Sequence, residues 1–414
     1  MIISKFKKTW SEYPHTFWIL VASTFIDRLG GTMLYPFFVL YITRKFEVGL
    51  TEAGILLAVF SLTGMAGSII GGALSDRYGR KKLVISGLLF SGMASLVMGF
   101  LQSYSMFFVF AFMAGFLGEL GGPARMVMIA EILPEEKHSA GYSIMRISGN
   151  LAWVIGPAIG GFFAAYSYLI LFISDAVTSA ITALIVFLKI PETLKQHKDE
   201  EEHEPFIATL KGYRQVLGDH VFRSFIIFSI LMLLVYQQLY STYAVFLRDV
   251  HGFPDSFYGF LLSINAFAVV IFQMPVTRWT ARRDSYLMMS AGTFLFIIGY
   301  TATGIVAGAA MFTVTMMVIT LGEMIIIPVS QALVARLAPK ELKGRYMGMY
   351  NFSWSVPSLI GPWAAGLIVD NMNPRFVWYI CGVIASVAFT GFFILWKKQK
   401  NPMGSSVDNN SNLD

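Results

Sequence analysis

The 414-residue sequence contains a single cysteine, Cys381. One thiol can close neither an intrachain disulfide nor a multi-cysteine metal framework, so cross-links are excluded and cysteine usage says nothing about redox compartment. Histidine is also scarce, at six residues. None clusters inside an apolar run, and His197 and His203, set among acids in a polar stretch, are read as solvated rather than metal-ligating. No phosphate-cradling glycine loop and no zinc-type spacing occurs, so neither an enzyme chemistry nor nucleotide hydrolysis can be located. Charge is the largest deficit: only 14% of residues are Asp, Glu, Lys or Arg, against about 25% in soluble domains.

In place of charge there is apolar surface, 56% of residues being hydrophobic and 36 of them Phe. Most of that surface requires lipid as its solvent, and the apolar runs are long enough to span a hydrocarbon core of about 30 Å. Helices are expected at roughly 15–42, 51–75, 83–101, 105–132, 138–165, 168–189, 221–248, 256–278, 285–308, 310–336, 342–369 and 374–396. The fold class is therefore an all-α membrane protein of twelve transmembrane helices. The first run is longer than a signal-peptide core and is followed by no small-residue cleavage site, so it reads as a retained helix.

Lys and Arg fall on alternate loops. Twenty-three lie on the side of the N-terminus, including Arg77, Arg80, Lys81 and Lys82, while Arg44, Lys45, Arg248 and Arg375 lie on the other. By the positive-inside rule both termini are cytoplasmic and the chain is a multi-pass protein of a plasma (inner) membrane, read as prokaryotic. The net charge of +6 is a topology signal, matched to an anionic leaflet rather than to nucleic acid.

Adding 205 to a residue number in the first half reaches its counterpart in the second: Tyr35 and Tyr240, Gly54 and Gly259, Arg77 and Arg282, Pro157 and Pro362, Gly161 and Gly366. This is a duplicated six-helix unit. Six is even, so the copies are parallel repeats related by an axis along the membrane normal. The expected domains are a six-helix bundle over 1–189, a linker over 190–219 with an amphipathic helix marked by Phe206, Leu210, Tyr213 and Leu217, a second bundle over 220–400, and a disordered cytoplasmic tail over 401–414.

Between helices 2 and 3 stands the string GGALSDRYGRKK, Gly71 to Lys82. Gly72 and Gly79 permit close approach and a tight turn, and Asp76 and Arg80, four apart, can pair with each other or with a neighbouring helix end. The string resembles the cytoplasmic signature of the major facilitator superfamily at Gly72, Leu74, Asp76, Arg77, Gly79, Arg80 and Lys81. The resemblance implies two six-helix halves that transport a small molecule by alternating access, with Asp76, Arg80 and Glu131 as a conformational latch. The counterpart loop, 277–284, keeps only Arg278, Arg282 and Arg283. Helix 5 carries NLAWVIGPAIGG, in which Pro157 frees a backbone carbonyl and Gly156, Gly160 and Gly161 admit a close neighbour. It is similar to the helix-5 motif of drug:proton antiporters in that superfamily, departing from it at Ala152. On helix 4, Ala111 stands where the antiporter pattern has an arginine.

An ionisable side chain at mid-membrane costs at least about 2.5 kcal/mol and so calls for a partner or a purpose. Asp27 and Arg28 lie mid-helix 1, Glu119 and Arg125 on helix 4, Arg146 on helix 5, Asp175 towards the far end of helix 6, and Glu323 on helix 10. Asp27 and Glu119 have two readings, protonation or cation binding on one hand and structural pairing with Arg28, Arg125 or Arg146 on the other. Arg146 is a cavity or gating candidate, Asp175 a structural one, and Glu323 a substrate or proton site. Further cavity candidates are Asn150, Trp153, Tyr236, Gln237, Tyr240, Asn265, Tyr350, Asn351 and Trp354.

The leading expectation is proton-coupled efflux of lipophilic or cationic compounds. Uptake of a sugar or organic anion by proton symport is the alternative, with the buried arginines as anchors, and a non-transporting membrane sensor is a third. No cofactor and no metal is expected; the proton gradient supplies the energy. The expected partners are a small-molecule substrate, protons and the lipid bilayer, with no nucleic acid, and the expected state is a monomer.

Overall fold

The structure, a computed structural model, describes residues 12–194, 215–339 and 342–400. The expected amphipathic helix at Phe206, Leu210 and Tyr213, the pair His197 and His203, and the tail over 401–414 lie outside the described residues.

Among the described residues twelve helices are long and apolar enough to cross a membrane: α1 (His15–Lys45), α2 (Leu50–Ser75, its helix continuing to Tyr78), α3 (Arg80–Phe100), α4 (Tyr104–Ile132), α5 (Glu135–Tyr166), α6 (Tyr168–Lys189), α7 (His220–Ser241), α8 (Asp255–Thr280), α9 (Ser285–Thr303), α10 (Ala309–Leu337), α11 (Arg345–Asn371) and α12 (Phe376–Lys400). Helix is the solution because lipid offers no partner to a backbone amide or carbonyl, and only the i to i−4 ladder satisfies every group within one segment. Serine and threonine hydroxyls obey the same constraint. Thr43, Thr63, Thr293 and Thr320 each donate to the carbonyl four residues back.

Helix ends are where the ladder runs out, and each end finds a local remedy. Ser167 caps α6 by accepting from Leu169 N at 3.2 Å, and Asp284 caps α9 by accepting from Leu287 N at 3.0 Å. The α2–α3 turn is made at Gly79, whose φ of 103° is left-handed backbone that favours glycine. Prolines 157, 275 and 328 sit inside α5, α8 and α10. Helix α4 is broken at Glu119–Leu120, between Gly118 and Gly121.

The chain forms two compact units whose limits do not follow the repeat. The first comprises α1–α6 together with residues 240–266 and 362–370, the far ends of second-half helices. Its core is built from Phe17, Leu20, Leu83, Val84, Leu88, Ala124, Met128 and Ile129. Helix α2 approaches α4 along Gly67 and Gly71, where an added Cβ would strike the backbones of Phe116 and Leu120. Small residues on α2 thus replace the hydrophobic driving force that is missing between helices in lipid.

The second unit holds the rest of α7, α8 and α11 with α9, α10 and α12. There α9 packs against α10 at Gly292 and Gly322, close enough that a Cβ on Gly292 would stand 3.1 Å from the Gly322 carbonyl. Rings fill the core beside it: Tyr300 and Trp378 stack with centroids 6.3 Å apart.

Candidate functional site

In the first unit, the mid-membrane carboxylate Asp27 has found one of its three expected partners. Its Oδ2 accepts from Arg125 Nη1 at 2.8 Å, and its Oδ1 accepts from Ser179 Oγ on α6 at 3.2 Å. Both side chains of the pair are shielded, with 15% of Arg125 and 20% of Asp27 exposed. Removing either partner would strand the other charge in a low dielectric. Asp175 lies on the same helix as Ser179, one turn closer to the far end. Its Oδ1 stands 3.9 Å from where a Cβ on Gly31 would be, near enough to Ser95 and Asp27 for both to bear on its charge. Asp27, Asp175, Ser95 and Ser179, from α1, α3 and α6, are thus neighbours, with Arg125 paired to Asp27. Sequence reasoning missed Ser95 and Ser179, since a buried serine can always satisfy itself on its own helix.

Glu119 is at the break in α4. Its Cγ faces Gly64 of α2, 3.3 Å from a Cβ built there, and its side chain is exposed. Arg28, Arg146, Asn150 and Asn351 are exposed as well. Among the described residues the ion-pair partner of Asp27 is Arg125, not the adjacent Arg28.

The helix-5 glycines serve close packing. Thr32 of α1 donates to the Ala152 carbonyl at 3.0 Å, directly beside Gly156. Gly160 lies on the Met33 carbonyl, and a Cβ on Gly161 would stand 2.9 Å from Gly259 Cα. Trp153 meets two tyrosines edge-on, Tyr35 at 5.9 Å and Tyr240 at 5.4 Å. These two tyrosines are repeat counterparts. Asn265 is buried in the same unit.

At the end of this unit near the N-terminus, Arg80 Nε donates to Glu131 at 3.3 Å and its Nη1 to Ser75 Oγ at 2.9 Å. Thr193, just beyond α6, donates to the other Glu131 oxygen at 2.5 Å. Glu192 accepts from the backbone amide of Arg80 at 2.9 Å, capping α3. The side chain of Asp76 is outside the described residues. Arg77 lies over the Tyr78 ring at 5.5 Å, and Gly72 faces Pro123.

At the opposite end, Asp370 accepts from the amides of Leu50 and Thr51 at 2.9 and 2.7 Å. Arg44 reaches Asp255 at 3.5 Å, and Tyr168 donates to the same carboxylate oxygen. Arg248 donates to Thr43 Oγ1 at 3.1 Å and to the Leu40 carbonyl at 3.2 Å. Burial opposes the Arg248 charge, but its hydrogen bond to Asp249 and the Asp249 and Asp255 charges outweigh that, leaving its pKa above the usual guanidinium value.

In the second unit, Glu323 Oε1 accepts from Tyr236 Oη at 2.9 Å. The Tyr236 ring stacks on Phe296 with planes 3° apart and meets Trp354 edge-on, both at 6.1 Å. Tyr300 donates to the Tyr236 carbonyl at 3.4 Å. A carboxylate beside aromatic rings can hold an organic cation by charge and by ring faces together. Tyr350 is buried and bonds Ser330 at 2.6 Å. Gln237 lies beside Gly361, and Gln238 donates to the Gly361 carbonyl at 3.3 Å.

The Major Facilitator Superfamily profile matches residues 20–260 and 246–410. The chain belongs to the major facilitator superfamily. It is accordingly a multi-pass membrane transporter and not an enzyme. It is 27% identical to a "Na(+), Li(+), K(+)/H(+) antiporter" of Planococcus maritimus over 91% of this chain and 94% of that one. It is 21% identical to "Multidrug resistance protein MdtH" of Citrobacter koseri over 94% and 96% of the two chains. Among solved structures, the nucleoside transporter NupG superposes with a TM-score of 0.78 at 13% identity, covering 92% of this chain and all of that one. A POT family transporter in complex with 5-aminolevulinic acid gives 0.77 at 14% identity, over 94% and 97%. These structures share the superfamily fold.

Proposed function

We propose that this major facilitator protein is a proton-coupled antiporter that exports lipophilic organic cations, with Glu323 as the cation-binding carboxylate. The observation that carries this reading is the Tyr236–Glu323 hydrogen bond, set among Phe296 and Trp354. An ionised Glu323 attracts a cation, and Trp354, the partly exposed ring of the group, accepts its apolar body. A proton on the same carboxylate cancels that attraction and releases the cargo, so proton and cation compete for one group. Asp27 is the second titratable candidate, and its hydrogen bonds to Arg125 and Ser179 would be remade on protonation. A relative named as a multidrug resistance protein supports a drug-like substrate.

The test is dye efflux in proteoliposomes with an imposed proton gradient. Wild-type protein should move ethidium against its gradient, and Glu323→Gln should lose at least ten-fold of gradient-driven efflux. Unchanged coupling in Glu323→Gln, Asp27→Asn and Glu119→Gln alike would sink the proposal. Net uptake of a sugar or organic anion under the same gradient would favour symport instead.

A second reading rests on the oxygen-rich cluster of Asp27, Asp175, Ser95 and Ser179. Hard monovalent cations prefer several oxygen ligands over rings, and one relative is named as an alkali-cation/proton antiporter. Proton release driven by added sodium, abolished by Asp175→Asn and untouched by Glu323→Gln, would establish this reading in place of the first.

A further inference from the structure

A groove of about 650 Å³ opens on the outer face of the second unit, along α12 and against α7 and α9. Its floor is made by two close approaches. A Cβ on Gly391 would strike the Phe228 ring, and one on Gly382 would strike Thr301 Oγ1. Glycine at both positions keeps α12 low, so the lining side chains Val387 and Ile394 leave a furrow instead of a ridge. Three of the four hydroxyls that line it are used within the protein, Tyr379 donating to the Gly304 carbonyl at 3.2 Å. Ser386 donates to the Gly382 carbonyl at 2.7 Å and Thr390 to the Ser386 carbonyl at 2.8 Å, so the furrow presents an apolar wall.

Lys397 and Lys398 follow Ile394 at i+3 and i+4, and so continue the face of α12 that lines the groove. Both are exposed. Phe393 lies beneath Lys397, with the ammonium 5.0 Å from the ring centroid. From Lys397 back to Val387 is ten residues, about 15 Å of helix. That is the depth of one leaflet of a core about 30 Å thick.

We infer that this groove binds an anionic phospholipid, its acyl chain lying along Val387–Ile394 and its phosphate at Lys397 and Lys398. Charge selects this occupant over a second copy of the chain. A two-fold dimer in a membrane has its axis along the membrane normal, so an α12–α12 contact would bring the lysine pairs of both copies to the same depth and set like charges together. An anionic headgroup neutralises them.

Native mass spectrometry of detergent-purified protein titrated with phosphatidylglycerol or phosphatidylcholine tests the inference. Phosphatidylglycerol should be retained at ten-fold lower concentration than phosphatidylcholine. Lys397→Gln with Lys398→Gln should erase that preference, and Thr390→Trp, which fills the furrow, should reduce phosphatidylglycerol retention ten-fold. Equal retention of the two lipids by wild-type protein overturns the proposal, as does a preference that survives the double lysine substitution. A dimer mass that Thr390→Trp converts to monomer overturns it in favour of a copy interface. Should Thr390→Trp fail to fold, the lysine pair, exposed at a helix end, decides alone.

Discussion

The backbone amide of Leu50, the first residue of α2, donates to the carboxylate of Asp370 at 2.9 Å. The two residues are 320 positions apart, one in each copy of the repeat, and the bond gives the unpaired start of α2 a charged cap. A cap of this kind is worth about 0.5–2 kcal/mol. Asp370→Ala should therefore loosen the contact between α2 and the end of α11 by about 2- to 30-fold. The measurement is maleimide labelling of Leu50→Cys in a Cys381→Ala background. Leu50 is 2% exposed, so labelling should be slow with Asp370 present and speed up without it; equal rates would remove Asp370 from the contact.

The Asp27–Arg125 pair predicts a compensation pattern. Asp27→Asn leaves Arg125 buried without its counter-charge, which costs about 3–5 kcal/mol, and Arg125→Gln does the reverse. Each should lower the thermal unfolding midpoint in detergent. The double variant removes both charges and should recover most of the loss, while gradient-driven transport stays low if the carboxylate carries a proton. Full recovery of both stability and transport would make the pair structural.

Mid-helix charge was legible in the sequence because the bilayer makes it costly. Arg125 accordingly stood among three expected partners of Asp27. The residues that fasten helix ends were not legible: Glu192, Thr193, Asp255 and Asp370 sit in loops or terminal turns, where a polar side chain has water available and needs no explanation. Repeat arithmetic held an unread clue. Arg248 is the counterpart of Thr43, and the two are hydrogen-bonded to each other at 3.1 Å. Tyr346, Tyr350 and Trp354 recur every four residues on α11, and each found a local partner. Tyr350 bonds Ser330 and Tyr346 bonds Asp219, while Trp354 meets Tyr236.

Glu192 and Glu131 make separate predictions, although they lie together. Glu192 caps the first turn of α3 through the Arg80 amide, whereas Glu131 holds the Arg80 side chain. Glu192→Ala should raise hydrogen exchange at the Arg80 and Lys81 amides by about 2- to 30-fold, matching about 0.5–2 kcal/mol of lost capping. Glu131→Gln should leave those amides protected and instead alter the transport rate. Identical exchange in both variants would merge the two into one structural cluster.

Four glycines related by the repeat supply the last prediction. Gly54 of α2 and Gly259 of α8 are counterparts, as are Gly161 of α5 and Gly366 of α11. The helix pairs they join are related in the same way. A Cβ on Gly161 would stand 2.9 Å from Gly259 Cα, and one on Gly366 would stand 2.5 Å from Thr51 Cα; Gly54 meets the Pro362–Trp363 backbone at 2.5 Å. Backbone atoms cannot swing aside as a flexible side chain can, so a branched residue at either position forces the helices apart. Gly161→Val and Gly366→Val should each cut transport at least ten-fold while the protein still elutes as a folded species, and both should raise labelling of Leu50→Cys. Because α5 with α8 and α2 with α11 are counterpart helix pairs, each in close backbone contact, the two substitutions should give the same phenotype. Normal transport in one variant and loss in the other would show that the pseudo-symmetry of the packing is not carried into function.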